Sequence, residues 1–464
     1  MAGKLKVLIV SSEVVPFAKT GGLADVAGAL PIALEEQGVD VRLAMPKYKM
    51  VKSDSDSATI GKNVKVYFIK NDKFFKRDGL YGDIKGDYPD NLERFVFFNT
   101  AVLDLLKKIK FKPDVIHCND WQAGLIPVYL KTIYKDDPFF KDTKTVFTIH
   151  NLAYQGTFPK DDIQKTALGW DVFTMDGIEF YNKINFLKGG LNFSDALTTV
   201  SPTYAEEIQL QEFGCGLEGA LSKRKDDLFG IINGIDYDIW NPAKDKCIFK
   251  NYSADTIDGK YVNKTMLQKE TGLKEDKNTP LLGIISRLAD QKGFDLIAAI
   301  INDLLKMGTQ IIILGTGEEK YHIMLKDLAK KHPKATSINL RFDNTLACKI
   351  YAGCDMFLMP SRYEPCGLGQ MISLAYGTIP VVRQTGGLRD TVMEFNPRTK
   401  DGNGFVFRQY NSSALQDAIK RGLEIYKDRK LWKELVQKAM IYDYSWNESA
   451  VKYIEVYKKA ISKK

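Results

Sequence analysis

The segment at residues 360–390 reads PSRYEPCGLGQMISLAYGTIPVVRQTGGLRD and holds the pattern on which the whole chain is built. It follows a short apolar run at 356–359, and its glycine-bearing turn leads into a predicted helix at 370–376 that ends at Gly377. The apolar run 379–382 then predicts a second strand. A strand, a glycine turn and a helix bring free backbone N–H groups to the carboxyl end of a parallel sheet, where anions bind. The segment therefore predicts an α/β domain with a ligand site at that edge of its sheet.

Glu364 lies immediately before the glycine turn. Because a carboxylate repels phosphate, we expect Glu364 to face a neutral part of a ligand, such as a sugar hydroxyl. The alternative is an ordinary turn between a strand and a helix, with a glutamate that points into water. Short glycine motifs occur in many unrelated proteins, so the residue types alone leave both interpretations open.

Length and composition narrow the class of protein. A chain of 464 residues exceeds one ordinary core and predicts two domains. No apolar run approaches a membrane span, and the N-terminus enters a strand pattern without the regions of a signal peptide, which predicts a cytoplasmic protein. Six cysteines without a Cys-x-x-Cys pair, and four histidines without paired metal spacing, predict free thiols and no metal site. The net charge of +8 comes from scattered lysines, which argues against nucleic acid as a partner.

A second strand–glycine–helix pattern lies near the N-terminus. The apolar run 6–10 predicts a strand, and apolar residues at helical spacing over 23–36 predict a helix. Between them Lys19 precedes Gly21 and Gly22, and a lysine beside paired glycines at a helix start suits a phosphate group. The alternative is a loop lysine that is merely solvated.

The alternation continues along the chain. Further apolar runs predict strands at residues 39–45, 64–69, 95–98, 115–117, 146–149, 196–200, 229–232, 282–285, 310–314, 338–342 and 405–407. Helical patterns separate most of them, which predicts doubly wound parallel sheets covered by helices. The irregular stretch after residue 241 indicates a domain boundary, and residues 446–461 predict a last packed helix.

Polar residues follow two strands of the first half. Asp120 comes shortly after 115–117, and His150 with Asn151 comes directly after 146–149. These residues lie at the carboxyl ends of predicted parallel strands, so they fall at the same edge of the sheet as the N-terminal glycine loop. That edge is where doubly wound sheets bind ligands. Structural alternatives are a helix N-cap for Asp120 and a capping role for His150.

Two cations lie at the start of a helix in the second half. Arg287 and Lys292 follow the strand 282–285 and precede the predicted helix 294–305. Positive charge at a helix N-terminus opposes the helix dipole, so these side chains are expected to face an anion that offsets the cost.

In this order, the motifs resemble the bacterial-type glycogen and starch synthases from end to end. The resemblance is carried by KTGGLADVAGALP at 19–31, HCNDWQAG at 117–124, TIHNLAYQG at 148–156, TVSPTYAEEI at 199–208, INGID at 232–236, ISRLADQKGFDL at 285–296, PSRYEPCGL at 360–368 and TGGLRDTV at 385–392. It implies a GT-B fold, in which two Rossmann-like doubly wound domains face each other across a deep cleft. The expected division is an acceptor-side domain at 1–242, joined by a return helix at 443–464, and a donor-side domain at 243–442.

The resemblance implies the transfer of glucose from ADP-glucose to the 4-hydroxyl at the non-reducing end of an α-1,4-glucan, with retention of configuration. In that chemistry Arg287 and Lys292 hold the donor pyrophosphate, and Glu364 binds glucose hydroxyls. His150 and Asp120 lie near the glucose and the acceptor. The leaving phosphate accepts the proton of the acceptor in a front-face attack, so no metal and no cofactor are expected.

The remaining site residues are carried over as substrate contacts. Lys19, Gly21 and Gly22 are expected at the phosphates, Phe342 on the nucleotide base, and Tyr81 on the sugar or acceptor side. Supporting contacts are expected from Asn151, Asn233, Cys366, Gly367, Leu368, Thr385, Gly386 and Gly387.

The chain departs from the family pattern at three positions. Ile372 stands where related retaining enzymes carry a second glutamate, Gly369 where a larger residue is common, and Gln122 where a histidine often follows the Asp-Trp pair. Three alternatives remain open: a related transferase that uses UDP-glucose or a small acceptor, a silent glycan-binding protein, and a nicotinamide dehydrogenase. The last two are disfavoured, because Lys19, Arg287 and the other expected site residues are all present and no complete G-x-G-x-x-G follows a strand.

Overall fold

The computed structural model describes residues 4–83 and 85–463, which divide into two compact units. The first unit holds the chain up to Gly234 and again from Trp446, and the second holds Ile235–Ser445. The boundaries therefore lie at 234/235 and 445/446, against the 242/243 and 442/443 expected from the sequence.

The first unit is built on a largely parallel sheet. The strands of this unit, in the large sheet and outside it, are β1 (Lys6–Val10), β2 (Asp40–Pro46), β3 (Ser57–Ile60), β4 (Val64–Ile69), β5 (Gly82–Asp83), β6 (Gly86–Asp87), β7 (Val115–Asn119), β8 (Lys144–Ile149), β9 (Thr157–Pro159), β10 (Glu179–Phe180), β11 (Lys183–Asn185), β12 (Ala196–Thr199) and β13 (Leu228–Gly230). Its helices up to the boundary are α1 (Gly22–Glu36), α2 (Asp72–Phe75), α3 (Asn91–Lys108), α4 (Leu125–Lys131), α5 (Phe186–Phe193), α6 (Pro202–Glu207) and α7 (Glu218–Lys223). The large sheet has the order β13-β12-β8-β7-β1-β2-β4-β3, in which β3 alone runs antiparallel. The apolar runs of its central strands are buried on both faces, as helix-covered parallel sheets require.

The second unit repeats this architecture with a smaller sheet. Its strands are β14 (Leu281–Ile285), β15 (Gln310–Leu314), β16 (Thr336–Asn339), β17 (Met356–Met359), β18 (Ile379–Arg383) and β19 (Phe405–Phe407). Its helices are α8 (Asp258–Glu270), α9 (Phe294–Lys306), α10 (Glu319–Lys331), α11 (Asn344–Gly353), α12 (Gly369–Ala375), α13 (Gly386–Thr391), α14 (Ser412–Lys427) and α15 (Arg429–Met440). The strand order is β16-β15-β14-β17-β18-β19, and all pairs are parallel.

The last helix, α16 (Trp446–Ser462), packs on the first unit. Ser449 Oγ donates to the carbonyl of Ile232 at 2.5 Å, and Tyr457 Oη lies 2.8 Å from Nδ1 of the buried His117. The predicted terminal helix is therefore present, and its aromatic side chains join it to the core of the sheet.

The predicted strand at residues 95–98 is wrong. This stretch lies inside α3, where Phe95, Phe98 and Val102 are all buried on one face. Four consecutive apolar residues suit either a strand or a helix, and the continued spacing of three and four residues decides for the helix. Among the described residues, no helix combines the length and the apolar composition that crossing a membrane requires.

Candidate active site

The site of the second unit lies where the strand order of its sheet reverses. From β14 the chain moves outward through β15 to β16, and then returns to the other side of β14 as β17. Such a reversal leaves a crevice at the carboxyl ends of the two central strands, where α/β proteins bind ligands. Arg287 and Lys292 follow β14, and Glu364 follows β17, so the three side chains lie on the two sides of the reversal.

Lys292 and Glu364 form an ion pair across this point. Lys292 Nζ donates to Glu364 Oε2 at 2.6 Å, and Ser361 Oγ donates to the same oxygen at 3.0 Å. The side chain of Glu364 is 8% exposed and that of Lys292 is 18% exposed. An ammonium group has three N–H donors, so Lys292 can hold Glu364 and contact a second anion at the same time.

Two glycines let the loops of this site approach closely. A side chain at Gly293, which has φ +76°, would come within 2.1 Å of the carbonyl oxygen of Pro360. A side chain at Gly386, with φ +43°, would come within 2.0 Å of the carbonyl oxygen of Glu364. The N–H of Gly387 donates to the carbonyls of Glu364 and Pro365, both at 3.2 Å, so this predicted ligand contact is engaged within the protein. Only glycine fits both the backbone conformation and the space.

Arg287 is exposed, and its Nη2 donates to Gln291 Oε1 at 3.1 Å. Its guanidinium therefore stays close to the β14 loop and presents its remaining donors to water or a ligand. The predicted anion contacts Arg287 and Lys292 thus arise from the same loop, one exposed and one already paired with a carboxylate.

Phe342 is 79% exposed. The predicted strand at 338–342 is shifted, because β16 ends at Asn339 and leaves Phe342 in the following turn. Oδ1 of the next residue, Asp343, accepts from the N–H of Leu346 at 2.9 Å and caps α11. This cap fixes the turn that carries Phe342 to the start of the helix. An aromatic ring held on a capped turn, with most of its surface in water, suits stacking on a ligand.

The loop before α12 is held by Gln370, which the sequence analysis did not single out. Its Nε2 donates to the carbonyls of Cys366 and Gly367 and to Thr391 Oγ1, at 3.0–3.1 Å. Cys366 is buried, and Gly367 has φ +73°. Leu368 stands at the N-cap of α12. The three predicted contact residues are therefore consecutive members of one fixed turn.

The first unit has its own reversal of strand order between β1 and β7. Glu13, which follows β1, is buried there and was missed by the sequence analysis. Its Oε1 accepts from Tyr81 Oη at 2.7 Å and from Thr20 Oγ1 at 2.5 Å, and its Oε2 accepts from the N–H groups of Thr20 and Gly21. The carboxylate thus occupies backbone donors at the start of α1 that the sequence assigned to a phosphate. A glutamate that follows a strand at such a reversal, with a Thr-Gly-Gly loop after it, is the signal that could have found it.

The other members of the predicted phosphate loop are arranged around this carboxylate. Lys19 Nζ donates to Asp25 Oδ1 at 2.7 Å, and both side chains are partly exposed. Gly22 is the first residue of α1. Tyr81 also lies 2.7 Å from Ser12 Oγ, so its hydroxyl joins the strand end to the loop. Tyr81 and the Lys19 loop, predicted separately, are therefore brought together by Glu13.

Asp120 and His150 are joined through the backbone. Asp120 Oδ1 accepts from the N–H of His150 at 2.7 Å, and His150 Nε2 lies 2.8 Å from Asn119 Oδ1. Asp120 has φ +55° and ψ −176°, a conformation rare for residues with a side chain, and its carboxylate does not cap the following turn. Asp120 therefore stands at the N-cap position of this turn, but without the side-chain hydrogen bond of a capping residue. Asn119, a second residue that the sequence analysis passed over, orients the imidazole.

The hydrogen bonds fix the protonation of His150. The amide Nδ2 of Asn119 donates to the carbonyl of Val10, so its Oδ1 is an acceptor and His150 Nε2 carries the proton. Burial lowers the pKa of His150 to about 3, so the ring is neutral at physiological pH. Burial also raises the pKa of Asp120 to about 7, against the lowering effect of the N–H groups of His150 and Asn151. The ring of His150 is therefore neutral, with Nδ1 left as an acceptor, and the neighbouring Asp120 is only partly ionised near neutral pH.

Asn151 and Asn233 follow strands of the first unit near this edge. Asn151 Oδ1 accepts from the N–H of Ala153 at 3.1 Å and forms a turn. Asn233 is buried, and its Oδ1 has no hydrogen-bond partner among the described residues. Gln122 Oε1 is likewise buried without a partner in the described chain. Buried polar atoms of this kind are costly and are common at ligand sites.

Known proteins match this chain over nearly its whole length. Residues 6–223 match the family described as starch synthase catalytic domain, and residues 266–439 match glycosyl transferases group 1. A glycogen synthase from Thermotoga petrophila is 48% identical over an alignment of 488 positions, which covers 99% of each chain. One from Thermosipho melanesiensis is 49% identical, covering 99% of this chain and 100% of its own. This chain belongs to the glycogen and starch synthase family.

A solved structure from the same family has the same fold. The catalytic domain of starch synthase IV from Arabidopsis thaliana, bound to ADP and acarbose, matches with a TM-score of 0.91 at 33% identity, covering 99% of this chain and 100% of that chain. The predicted GT-B fold and the assignment to the glycogen and starch synthases, which are retaining glucosyltransferases, are therefore confirmed. The roles of the individual site residues stay predictions.

The charge states of the first-unit site in this family member can be tested by acid unfolding. Between about pH 4 and 6.5 the unfolded chain protonates His117 and His150, whose folded pKa values are lowered by burial to about 3. Asp120, with a folded pKa of about 7, binds a proton in the folded state but not in the unfolded chain. It therefore cancels the contribution of one histidine to the pH dependence of stability. Each proton changes stability by about 1.4 kcal/mol per pH unit, so stability rises with pH in this window. We expect Asp120→Asn to make that rise steeper by about 1.4 kcal/mol per pH unit.

The measurement is urea unfolding of the wild type and the variant at several pH values in that window. Asparagine keeps an oxygen that can accept from the N–H of His150, so the geometry should persist. His117→Gln removes one titrating imidazole and is expected to make the slope shallower by the same amount. An unchanged slope in Asp120→Asn would mean that the carboxyl group is ionised throughout.

Proposed function

We propose that this protein lengthens α-1,4-glucan chains by transferring glucose from ADP-glucose to the 4-hydroxyl at the non-reducing end. The observation that carries the proposal is the position of Arg287, Lys292 and Glu364 around the strand reversal of the second unit, with Lys292 Nζ 2.6 Å from Glu364 Oε2. Two cations suit a diphosphate, and a buried carboxylate beside them suits sugar hydroxyls. A nucleoside diphosphate sugar offers both groups at adjacent positions.

The chemical roles follow from charge. The bond from the anomeric carbon to the diphosphate breaks with negative charge gathering on the leaving oxygen, and Arg287 and Lys292 stabilise that charge. Glu364 is held by Lys292 and Ser361, which suits a fixed contact to the sugar better than a nucleophile that must form and release a covalent bond. The proposed step is therefore attack on the same face as the leaving group, with the phosphate oxygen taking the proton of the acceptor. No metal or cofactor has a role in this step.

The proposed donor is ADP-glucose. The starch synthase IV catalytic domain from Arabidopsis thaliana carries ADP, and Phe342 offers an exposed ring for a base. Lys19 is a proposed contact to the phosphates, and the proposed contacts to the acceptor and the sugar come from Tyr81, His150, Asp120 and the asparagines of the first unit. The six cysteines are free thiols, which supports a cytoplasmic location as part of the proposal.

The test is incorporation of labelled glucose into glycogen from ADP-glucose or UDP-glucose, each with EDTA. Strong incorporation from ADP-glucose is expected, with a much weaker signal from UDP-glucose. Preference for UDP-glucose would keep the mechanism and overturn the proposed donor. Transfer from neither would overturn the proposed reaction and direct attention to small acceptors.

A pair of variants ties the result to the proposed base contact. Phe342→Ala is expected to raise KM for ADP-glucose by roughly tenfold, since stacking of a base on an aromatic ring is worth about 1–3 kcal/mol. Ile323→Ala, which truncates an exposed apolar residue of α10 in the same unit, should leave KM unchanged.

A further inference from the structure

A cluster of three metal-ligand side chains lies in the second unit, apart from the residues proposed for catalysis. The carboxylate of Asp245 and the thiol groups of Cys247 and Cys348 place one ligand atom each within 4.8 Å of one another. Asp245 and Cys247 belong to the irregular segment before α8, and Cys348 belongs to α11. We propose that Asp245, Cys247 and Cys348 form a binding site for Zn²⁺.

The ligand set and its spacing fit zinc. Two thiolates bound to one zinc ion at about 2.3 Å lie about 3.8 Å apart in a tetrahedral site, so closure of the cluster needs a movement of about 1 Å or less. Zinc prefers sulfur and nitrogen ligands and accepts aspartate, and three protein ligands leave the fourth position to water. Cys247 is exposed and gives the ion an entry path, whereas Cys348 is buried.

The carboxylate is already oriented by its neighbours. Tyr376 Oη donates to Asp245 Oδ2 at 2.7 Å, and the N–H of Cys247 donates to Asp245 Oδ1 at 2.7 Å. Tyr376 is itself fully buried, and its carbonyl accepts from Tyr252 Oη at 2.7 Å. Hydrogen bonds of this kind around a ligand carboxylate hold a metal site in shape.

The backbone that carries the ligands is also fixed. Asn251 Nδ2 donates to the carbonyl of Asp245 at 2.8 Å and to that of Pro242 at 3.0 Å. The ion would therefore join a fixed loop to α11, the helix whose first turn is capped by Asp343 beside Phe342. The carboxylate beside the two thiols supplies the third ligand of the proposed zinc site.

The experiment uses the full chain, reduced and freed of metal by chelation. Titration with Zn²⁺ by calorimetry is expected to give one tight site, with a rise in the melting temperature. Titration with Co²⁺ is expected to give thiolate-to-metal charge transfer and the visible bands of a tetrahedral ion. Native mass spectrometry should count one ion per chain.

Variants separate this site from adventitious thiol binding. Cys348→Ser, Cys247→Ser and Asp245→Asn should each weaken zinc binding by on the order of a hundredfold, and Tyr376→Phe by about tenfold. Cys215→Ser, at an exposed cysteine of the first unit, is the matched control and should bind zinc normally. Because Cys247 is exposed, its variant keeps the test valid if the buried Cys348 variant fails to fold.

Three results would overturn the proposal. They are no zinc uptake by the reduced chain, uptake that survives both Cys247→Ser and Asp245→Asn, and loss of uptake in Cys215→Ser. None of these results bears on glucosyl transfer, which uses other residues.

Discussion

Replacement of Arg287 by alanine is expected to lower kcat for glucose transfer by on the order of a hundredfold or more. In the proposed mechanism the guanidinium stabilises charge that forms only as the diphosphate leaves, so its loss falls on the transition state. Stability should be nearly unchanged, because Arg287 is exposed and substitutions of exposed side chains usually stay within about 0.5 kcal/mol. The measurement is steady-state turnover with saturating donor and glycogen, together with a melting curve.

The control is Arg398→Ala, which removes an exposed arginine of the same unit from the turn at 396–402. It should retain normal turnover. Arg287→Lys should fall between the two, because lysine keeps the charge but loses the forked pair of donors. Near-normal turnover in Arg287→Ala would mean that the leaving diphosphate is stabilised elsewhere.

Lys292→Ala is expected to lose turnover as well, but its result is harder to assign. Lys292 pairs with Glu364, whose side chain is 8% exposed, and its removal leaves a buried carboxylate without its cation. A loss of stability is therefore expected together with the loss of rate. Arg287 separates the two effects, which is why it is the sharper test.

The sheets could be predicted from the sequence because their central strands are continuous apolar runs. Strands β15, β17 and β19 have the predicted bounds, since each is an uninterrupted apolar run from its second residue onward and is largely buried. The error at residues 95–98 has the same origin, because an apolar run carries no periodicity of its own. Strand β3 was missed because Ser57–Ile60 is a partly exposed edge strand with little apolar content.

The candidate site was predicted only in part, because a sequence motif identifies a residue but not the other side chains that it contacts in the fold. The sequence placed Lys292 and Glu364 separately, and the structure joins them over 72 positions of the chain. Similarly, Glu13 and Tyr81 lie 68 positions apart, and only the fold brings the hydroxyl to the carboxylate. Contacts of this kind depend on which strands become neighbours, and local pattern does not contain that information.

Replacement of Glu13 by alanine is expected to have the second largest effect. Four donors meet this carboxylate: Tyr81 Oη, Thr20 Oγ1 and the N–H groups of Thr20 and Gly21. Thr20 and Gly21 are exposed and can donate to water in the variant, whereas the half-buried hydroxyl of Tyr81 loses this partner, so we expect a loss of about 1–3 kcal/mol in unfolding free energy. The Lys19 loop would lose the hydrogen bonds that hold it in place. We expect kcat/KM to fall by on the order of a hundredfold, because a small displacement of groups that position a substrate lowers the rate by about that factor.

Glutamine at position 13 separates geometry from charge. The two N–H donors meet Oε2 and the two hydroxyls meet Oε1. An amide can therefore turn its oxygen to the N–H groups and its NH₂ to the hydroxyls, which accept as readily as they donate. If Glu13 acts by holding the loop, Glu13→Gln should keep kcat/KM within about tenfold of the wild type, since its partners remain satisfied. If Glu13→Gln is as damaged as Glu13→Ala in kcat/KM while both unfold at their expected denaturant concentrations, the negative charge itself is required. The carboxylate would then act on the substrate and not through the loop.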